Sequence, residues 1–223
     1  TLLKGNMNDI LIENLSIGDK HSPVIVAEMS GNHNRSLDRA LEIVSEAAKA
    51  GAHAIKLQTY TPDTMTIRGS FRIKDNQSLW KERELYDLYK EAYTPWEWHK
   101  TIFDYAKQLG LFPFSTPFDE SAVDFLEELG VSAYKIASFE NTDWPLLKKV
   151  AQTGKPVIMS TGVINLSELD ESVRLLRQFG CKELILLKCT SSYPASPENS
   201  NLSSIPVLKD LFSCHIGLSD HTL

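Results

Sequence analysis

The chain has 223 residues, of which 42% are apolar and 23% charged, so it can bury a sizeable core without needing a metal or disulfide merely to fold. Its formal net charge of −6, with no lysine-rich block or basic stripe, argues against a nucleic-acid partner. No apolar run approaches the ~18 to 20 residues of a membrane helix and no secretory pattern opens the chain, so no membrane association and a cytoplasmic setting are expected.

Short strand-like runs alternate with amphipathic helical ones. VIVAE, residues 24–28, is followed by a helix that starts near Ser36, a capping residue, and closes at Gly51. AHAIKLQTY is the second strand. Residues 61–94 then form the one long irregular segment, which reads as a functional lid with a short helix near Leu85 to Tyr93. TPWEWHKTIFDYAKQLG supplies the next helix, and regular units follow: strand LFPFST and helix DESAVDFLEELG, strand AYKIAS and a helix within NTDWPLLKKVAQTG, strand PVIMST and helix NLSELDESVRLLRQFG. LILLKCT precedes an excursion and a short helix near IPVLKDLF, and SCHIGLSD closes the pattern.

Each strand ends in polar residues where its apolar run stops. These are Glu28; Lys56 and Gln58; Thr116; Lys135 and Ser138; Ser160 and Thr161; Lys188 and Thr190; Asp220 and His221. The strand–helix–strand order predicts right-handed crossovers and a parallel sheet. Gly-rich dinucleotide and Walker fingerprints are missing after the first strand, which favours an α/β fold of the (β/α)8 TIM barrel type over a doubly wound sheet. Seven strands are found in the sequence where a closed barrel has eight, so the barrel is expected to be truncated after the seventh strand and the chain to be part of a longer protein.

A lysine inside an apolar strand cannot point at the covering helices without burying its charge, so Lys56, Lys135 and Lys188 are expected at the barrel mouth. With the hydroxyls of Thr116, Ser138, Ser160 and Thr161 they would cradle a phosphate and a carboxylate. The plainer alternative is that they pair with Glu28 and Glu140. Glu28 itself is either a general acid/base or a counter-ion. His221 is a candidate metal ligand with Asp220 as an orienting carboxylate, although a lone histidine is more often an ordinary hydrogen-bonding residue. Cys181, Cys189 and Cys214 read as buried free thiols, and Trp96, Trp98, His99, Tyr86 and Tyr89 as packing residues. His33 and Asn34 follow Glu28 closely enough to line the site, an assignment that stays open.

The segments AEMSGNHNRS, IKLQTYTPDTMT, FSTPFDESAVDFLEELGVSAYKIASFENTD, KPVIMSTG, LLKCTSSYPA and IGLSDHT together resemble the sialic acid synthase family of phosphoenolpyruvate-dependent nonulosonate synthases, over nearly the whole chain. Within it, AEMSGNHN, LQTYTPDTMT, LYDLYKEAYTPWEWH and LKCTSSYPA are most similar to the branch that makes pseudaminic acid, with the neuraminate and legionaminate branches as near relatives. The resemblance implies a metal-dependent TIM barrel that condenses phosphoenolpyruvate with an open-chain N-acetylated amino sugar and releases phosphate by carbon–oxygen cleavage.

Carried over residue by residue, it implies that Lys56, Thr116, Lys135, Ser138 and Ser160 hold phosphoenolpyruvate. Gln58 and Glu140 surround the sugar and the reacting centre, Ser191 and Tyr193 lie on the sugar side, and Glu28 is the acid/base. His221 is one of two histidines for a divalent ion, manganese or magnesium. Ser191 stands where neuraminate enzymes have asparagine and Lys188 where some have histidine, which departs from the neuraminate pattern. The second metal histidine, the eighth strand and an antifreeze-like domain that makes a swapped homodimer would lie beyond Leu223. Without them the chain is expected to be inactive and poorly stable. Two other classes fit the residues alone: a Schiff-base aldolase using Lys135, and a non-catalytic anion-binding barrel.

Overall fold

The structure, a computed structural model, describes residues 7–74 and 80–222. It divides into two compact units, a continuous one, Val24–Val131, and an interrupted one, Thr1–Pro23 with Ser132–Leu223.

The interrupted unit starts with an antiparallel hairpin of β1 (Ile10–Ile12) and β2 (Leu15–Ile17), whose turn puts Glu13 at φ 52°. Sequence periodicity did not announce it. Ile10 and Ile12 bury their side chains, and three polar contacts pin the hairpin to the rest of its unit. His215 Nε2 lies 2.9 Å from Asn8 O, Ser132 Oγ donates to Glu13 Oε1 at 2.9 Å, and Lys209 Nζ pairs with Asp19 Oδ1 at 2.5 Å.

The continuous unit runs β3 (Val26–Glu28), α1 (Leu37–Lys49), β4 (Ala54–Thr59), α2 (Pro62–Met65), α3 (Leu85–Ala92), α4 (Trp96–Gln108), β5 (Phe112–Pro117) and α5 (Glu120–Glu128). The helices begin where sequence chemistry says they should. Ser36 Oγ accepts from Arg39 N, and Asp119 caps α5 by accepting from Ser121 N and Ala122 N. β3, β4 and β5 are parallel, with Glu28 opposite Lys56 and Gln58 opposite Thr116. Side chains alternate along β4: Ile55, Leu57 and Thr59 are fully buried, whereas Lys56 and Gln58 take the other face. Burying a side chain such as Leu57 contributes roughly 1.5–3 kcal/mol, so a one-residue slip is strongly disfavoured.

The interrupted unit resumes with β6 (Tyr134–Ile136), α6 (Trp144–Gln152), β7 (Val157–Ser160), α7 (Leu166–Gln178), β8 (Leu184–Cys189), α8 (Ser204–Phe212) and β9 (His215–Ser219). Its four strands pair in parallel, each with the next. Asp143 caps α6, and Asn165 with Glu168 forms a capping box on α7. Leu147, Val150, Val173 and Leu176 on these two helices are buried to within 1%.

The α/β architecture with parallel strands agrees with the expectation, and each of the seven anticipated strands is present. The short helix expected near residues 85–93 is α3, while residues 75–79 of the proposed lid lie outside the described residues. The three cysteines are buried and free. Among the described residues no helix is long and apolar enough to cross a membrane.

Candidate functional site

In the continuous unit, Glu28, Lys56, Gln58 and Thr116 come together at the carboxyl ends of β3, β4 and β5. Lys56 Nζ is 2.5 Å from Glu28 Oε2 and donates to Thr116 Oγ1 at 3.2 Å. Gln58 Nε2 donates to Glu28 Oε1 at 3.2 Å. The lysine is sunk, its side chain 14% exposed, while the carboxylate is 43% exposed. A carboxylate at this depth stays in contact with water and can exchange a proton with it, whereas the ammonium is held for an anion or for the carboxylate itself. Both chemical roles weighed for Glu28 therefore keep support, and the ion pair of the plainer reading is real.

The interrupted unit repeats the arrangement. Lys135, 5% exposed, donates to Ser160 Oγ on the neighbouring strand at 2.6 Å and to Ile136 O at 2.8 Å. Beyond the strand ends a row of small polar side chains follows: Ser138 Oγ donates to Cys189 Sγ at 3.4 Å, and Cys189 Sγ lies 3.7 Å from Ser191 Oγ and 3.9 Å from His221 Nδ1. The Tyr193 ring, 69% exposed, packs 4.4 Å from the imidazole of His221. Glu140 lies in the loop after β6 with Oε2 buried and without a hydrogen-bond partner among the described residues. Burial pushes its carboxyl up to about 7; the Lys135 ammonium opposes this and Asp143 adds to it.

Two residues that sequence reasoning passed over hold this second set. Asn141, 1% exposed, donates through Nδ2 to Ser160 O at 3.2 Å and Gly162 O at 2.9 Å, and its own carbonyl accepts from Ser172 Oγ at 2.6 Å. Gly162 has no room for a side chain: a Cβ would stand 2.1 Å from Ser191 Oγ and 2.7 Å from Ser138 Oγ. The sequence signal for Gly162 was its place after the strand-end Ser160–Thr161 pair. For Asn141 there was none, since loop polar residues follow no period.

The other candidates stand as follows. Lys188 does not join Lys135, because it alternates with Leu187 and Cys189 along β8 and so takes the opposite face from Cys189. Its ammonium donates instead to Cys189 O at 3.1 Å and Thr190 Oγ1 at 3.4 Å, capping its own strand. The Thr161 hydroxyl donates to Leu187 O at 3.0 Å and fastens its loop to β8. His33 is fully buried and packs against Trp98 with ring centroids 5.6 Å apart, whereas Asn34 is exposed. The Asp220 carboxylate accepts from Thr222 N and Oγ1, both at 3.1 Å, which lowers its pKa.

His221 Nδ1 lies 3.0 Å from Thr190 O, so the tautomer with its proton on Nδ1 leaves a lone pair on Nε2. One imidazole is short of a metal centre. Among the described residues no group of three or more His, Cys, Asp or Glu side chains could hold an ion, so the residues present do not fit a resident metal by themselves.

A family model described as the NeuB family matches residues 43–223. Pseudaminic acid synthase of Campylobacter jejuni is 45% identical over 201 residues, which cover 89% of this chain and 58% of that protein. Pseudaminic acid synthase of Helicobacter pylori is 44% identical over 204 residues, 90% of this chain and 59% of that protein. The crystal structure of N-acetylneuraminic acid synthetase from Leptospira borgpetersenii, in complex with citrate, matches with a TM-score of 0.87 and 32% identity, covering 97% of this chain and 71% of that one. The chain thus spans under two thirds of the length of these curated relatives.

Proposed function

This chain belongs to the NeuB family, the sialic acid synthases, and we propose on that premise that it carries the barrel part of a nonulosonic acid synthase. The reaction joins phosphoenolpyruvate to the open-chain aldehyde of an N-acetylated amino sugar and releases phosphate. Similarity to the C. jejuni and H. pylori enzymes favours a pseudaminic acid precursor as the sugar. The (β/α)8 barrel is part of the proposal, as is a swapped homodimer of the complete enzyme.

One observation carries the reading. In each unit a sunken ammonium donates to a hydroxyl on the next strand, Lys56 to Thr116 and Lys135 to Ser160. A cation backed by a hydroxyl suits a phosphate or carboxylate oxygen, and phosphoenolpyruvate has both groups. Ser138 extends the set of the interrupted unit, where Ser191 and the exposed Tyr193 offer polar and aromatic contacts of the kind a sugar takes; in the continuous unit Gln58 adds a polar contact beside Lys56 and Thr116.

In the reaction, C3 of phosphoenolpyruvate bonds to the aldehyde carbon, whose oxygen takes up a proton. Water adds at C2, and phosphate leaves with its bridging oxygen to give the 2-keto acid. Glu28 would take the proton from that water or return one to the new alkoxide, from its position against Lys56 and Gln58. Glu140, with a carboxyl near 7, would be protonated in an appreciable fraction at neutral pH and could donate to a sugar or alkoxide oxygen. A divalent ion, manganese or magnesium, would take Nε2 of His221 as one of its ligands.

Phosphate release from phosphoenolpyruvate, assayed with a panel of N-acetylated sugars in the intact protein, tests the reading. Release with a pseudaminic acid precursor is the expected result. Release with none of the sugars, or a borohydride-trapped adduct on Lys135, would overturn it.

A further inference from the structure

The start of α4 with Thr94 before it, whose aromatic residues read from sequence as plain packing, bonds directly to the end of β4 and to the loop that leaves β3, and reaches β5 through Thr59. Toward β3, Thr94 Oγ1 meets His33 Nε2 at 3.1 Å, and Trp98 stands edge-on to the same imidazole. Toward β4, Trp96 Nε1 donates to Tyr60 O at 3.1 Å, and His99 Nε2 meets Thr59 Oγ1 at 2.9 Å. Toward β5, the chain of bonds continues from Thr59 Oγ1 to Ser115 Oγ at 2.6 Å. Thr59, Thr94, Ser115, His33 and His99 are each no more than 1% exposed.

The bonds have a consistent direction. His33 Nδ1 accepts from Arg35 N, so its proton is on Nε2 and is donated to Thr94. His99 Nδ1 lies 3.2 Å from Pro95 O, so its proton is there and Nε2 accepts from Thr59. Burial lowers the pKa of both imidazoles, that of His99 to about 4. Thr59 then donates to His99 and accepts from Ser115, while Thr94 accepts from His33.

What these hydroxyls hold is adjacent to the site. Thr59 directly follows Gln58, and Ser115 directly precedes Thr116; because strand side chains alternate, fixing the helix-facing hydroxyl fixes the peptide unit that aims the site-facing one. His33 belongs to the loop that leaves Glu28, and that loop is fastened twice more to the end of α3. Arg35 Nη1 donates to Lys90 O at 3.0 Å, and a Cβ on Gly31 would come within 2.9 Å of Ala92 Cβ.

We propose that the turn Thr94–His99 is a positioning hub, in which Thr94 sets the Glu28 loop through His33, and Thr59, held by His99, sets Gln58 and Thr116. Neither threonine touches substrate. The kinetic part of the test rests on the reaction proposed above, but the hub itself does not.

The discriminating variants exchange hydroxyl for volume: Thr94→Val and Thr59→Val keep the size and lose the bond, while Thr94→Ser and Thr59→Ser keep the bond and lose a methyl. In the intact protein, Thr94→Val should lower kcat about tenfold or more with KM for phosphoenolpyruvate nearly constant, since it loosens the acid/base. Thr59→Val should raise that KM about tenfold with a smaller change in kcat, since it loosens Thr116 and Gln58. Both serine variants should stay within about twofold of wild type. Amide hydrogen exchange reads the same geometry without any reaction. It should quicken at Met29, bonded to Lys56 O, in Thr94→Val, and at Phe118, bonded to Thr59 O, in Thr59→Val. Should a valine variant not fold, the alanine variant replaces it against the same serine control. Absent phosphate release in the wild type with these exchange changes present would sink the reaction and keep the hub. Serine variants as impaired as the valine ones, or valine variants unchanged in rate and exchange, would overturn the hub.

Discussion

Glu28 and Lys56 stand opposite each other in the β3–β4 register and close an ion pair of 2.5 Å at the carboxyl ends of their strands. The pair is lopsided in its access to water, with the carboxylate 43% and the ammonium side chain 14% exposed. Such a pair contributes little to stability, on the order of 0–1 kcal/mol, and its value lies in the chemistry it keeps in one place.

Glu28→Gln should therefore separate function from fold. The amide keeps the shape and can still meet Gln58, so the thermal midpoint should move little. Phosphate release should fall roughly 10²–10⁴-fold, the usual contribution of a general acid/base. Phosphoenolpyruvate binding should hold or tighten, because Lys56 loses a competing anion. Calorimetric titration with a turnover assay checks this, and full turnover in the variant would remove Glu28 from the mechanism.

Glu140 should make stability fall as pH rises. The folded protein keeps the Glu140 proton up to about 7, whereas the unfolded chain releases it near 4.5. Between those values the native state binds the extra proton, so its stabilising effect is complete below 4.5 and is lost as pH climbs through 7. Glu140→Gln has no such dependence. Relative to wild type it should gain stability across that window, up to roughly 3 kcal/mol. Urea denaturation of both proteins at several pH values measures the difference, and parallel curves would mean that Glu140 titrates as an exposed carboxylate.

The strand ends were legible because parallel strands bury both faces, so a charged or hydroxyl residue inside VIVAE, IKLQ or YKIAS interrupts an otherwise apolar run. Caps were legible for a similar local reason, as at Ser36, Asp119 and Asn165. Facing was harder to read. LILLKC is apolar on both sides, so nothing in it told Lys188 from Cys189 as the inward residue. The β1–β2 hairpin has strands of three residues, too short for a period to show. Asn141 and the His33–Thr94 bond, which joins residues 61 apart, exist only once the chain has folded.

Asn141 should be worth more to stability than an exposed loop asparagine. Its amide satisfies the carbonyls of Ser160 and Gly162, and leaving buried carbonyls unpaired costs about 1–3 kcal/mol each. Asn141→Asp replaces the donor by an acceptor facing both. It should lose about 2–4 kcal/mol at neutral pH and recover part of that, relative to wild type, in acid, where a protonated carboxyl can donate once. Chemical denaturation at neutral and acid pH tests both statements. A loss of under about 0.5 kcal/mol, typical of neutral surface substitutions, would show that water replaces the amide.

Gly162 is the point where the Asn141 brace meets the small polar row. Its carbonyl accepts from Asn141 Nδ2 at 2.9 Å, so the backbone is held and cannot retreat from an added methyl. A Cβ would meet Ser191 Oγ at 2.1 Å and Ser138 Oγ at 2.7 Å, which leaves those two side chains to rotate away. Gly162→Ala should then weaken substrate binding, raising KM by about tenfold, a loss near 1.4 kcal/mol of binding. The fold should suffer less, since each clashing atom ends a rotatable side chain. Gly162→Ala with Ser191→Ala removes the closer clash and should recover more binding than Ser191→Ala alone predicts, a coupling that a double-mutant cycle isolates. Additive losses in that cycle would place Ser191 out of the way of the new methyl.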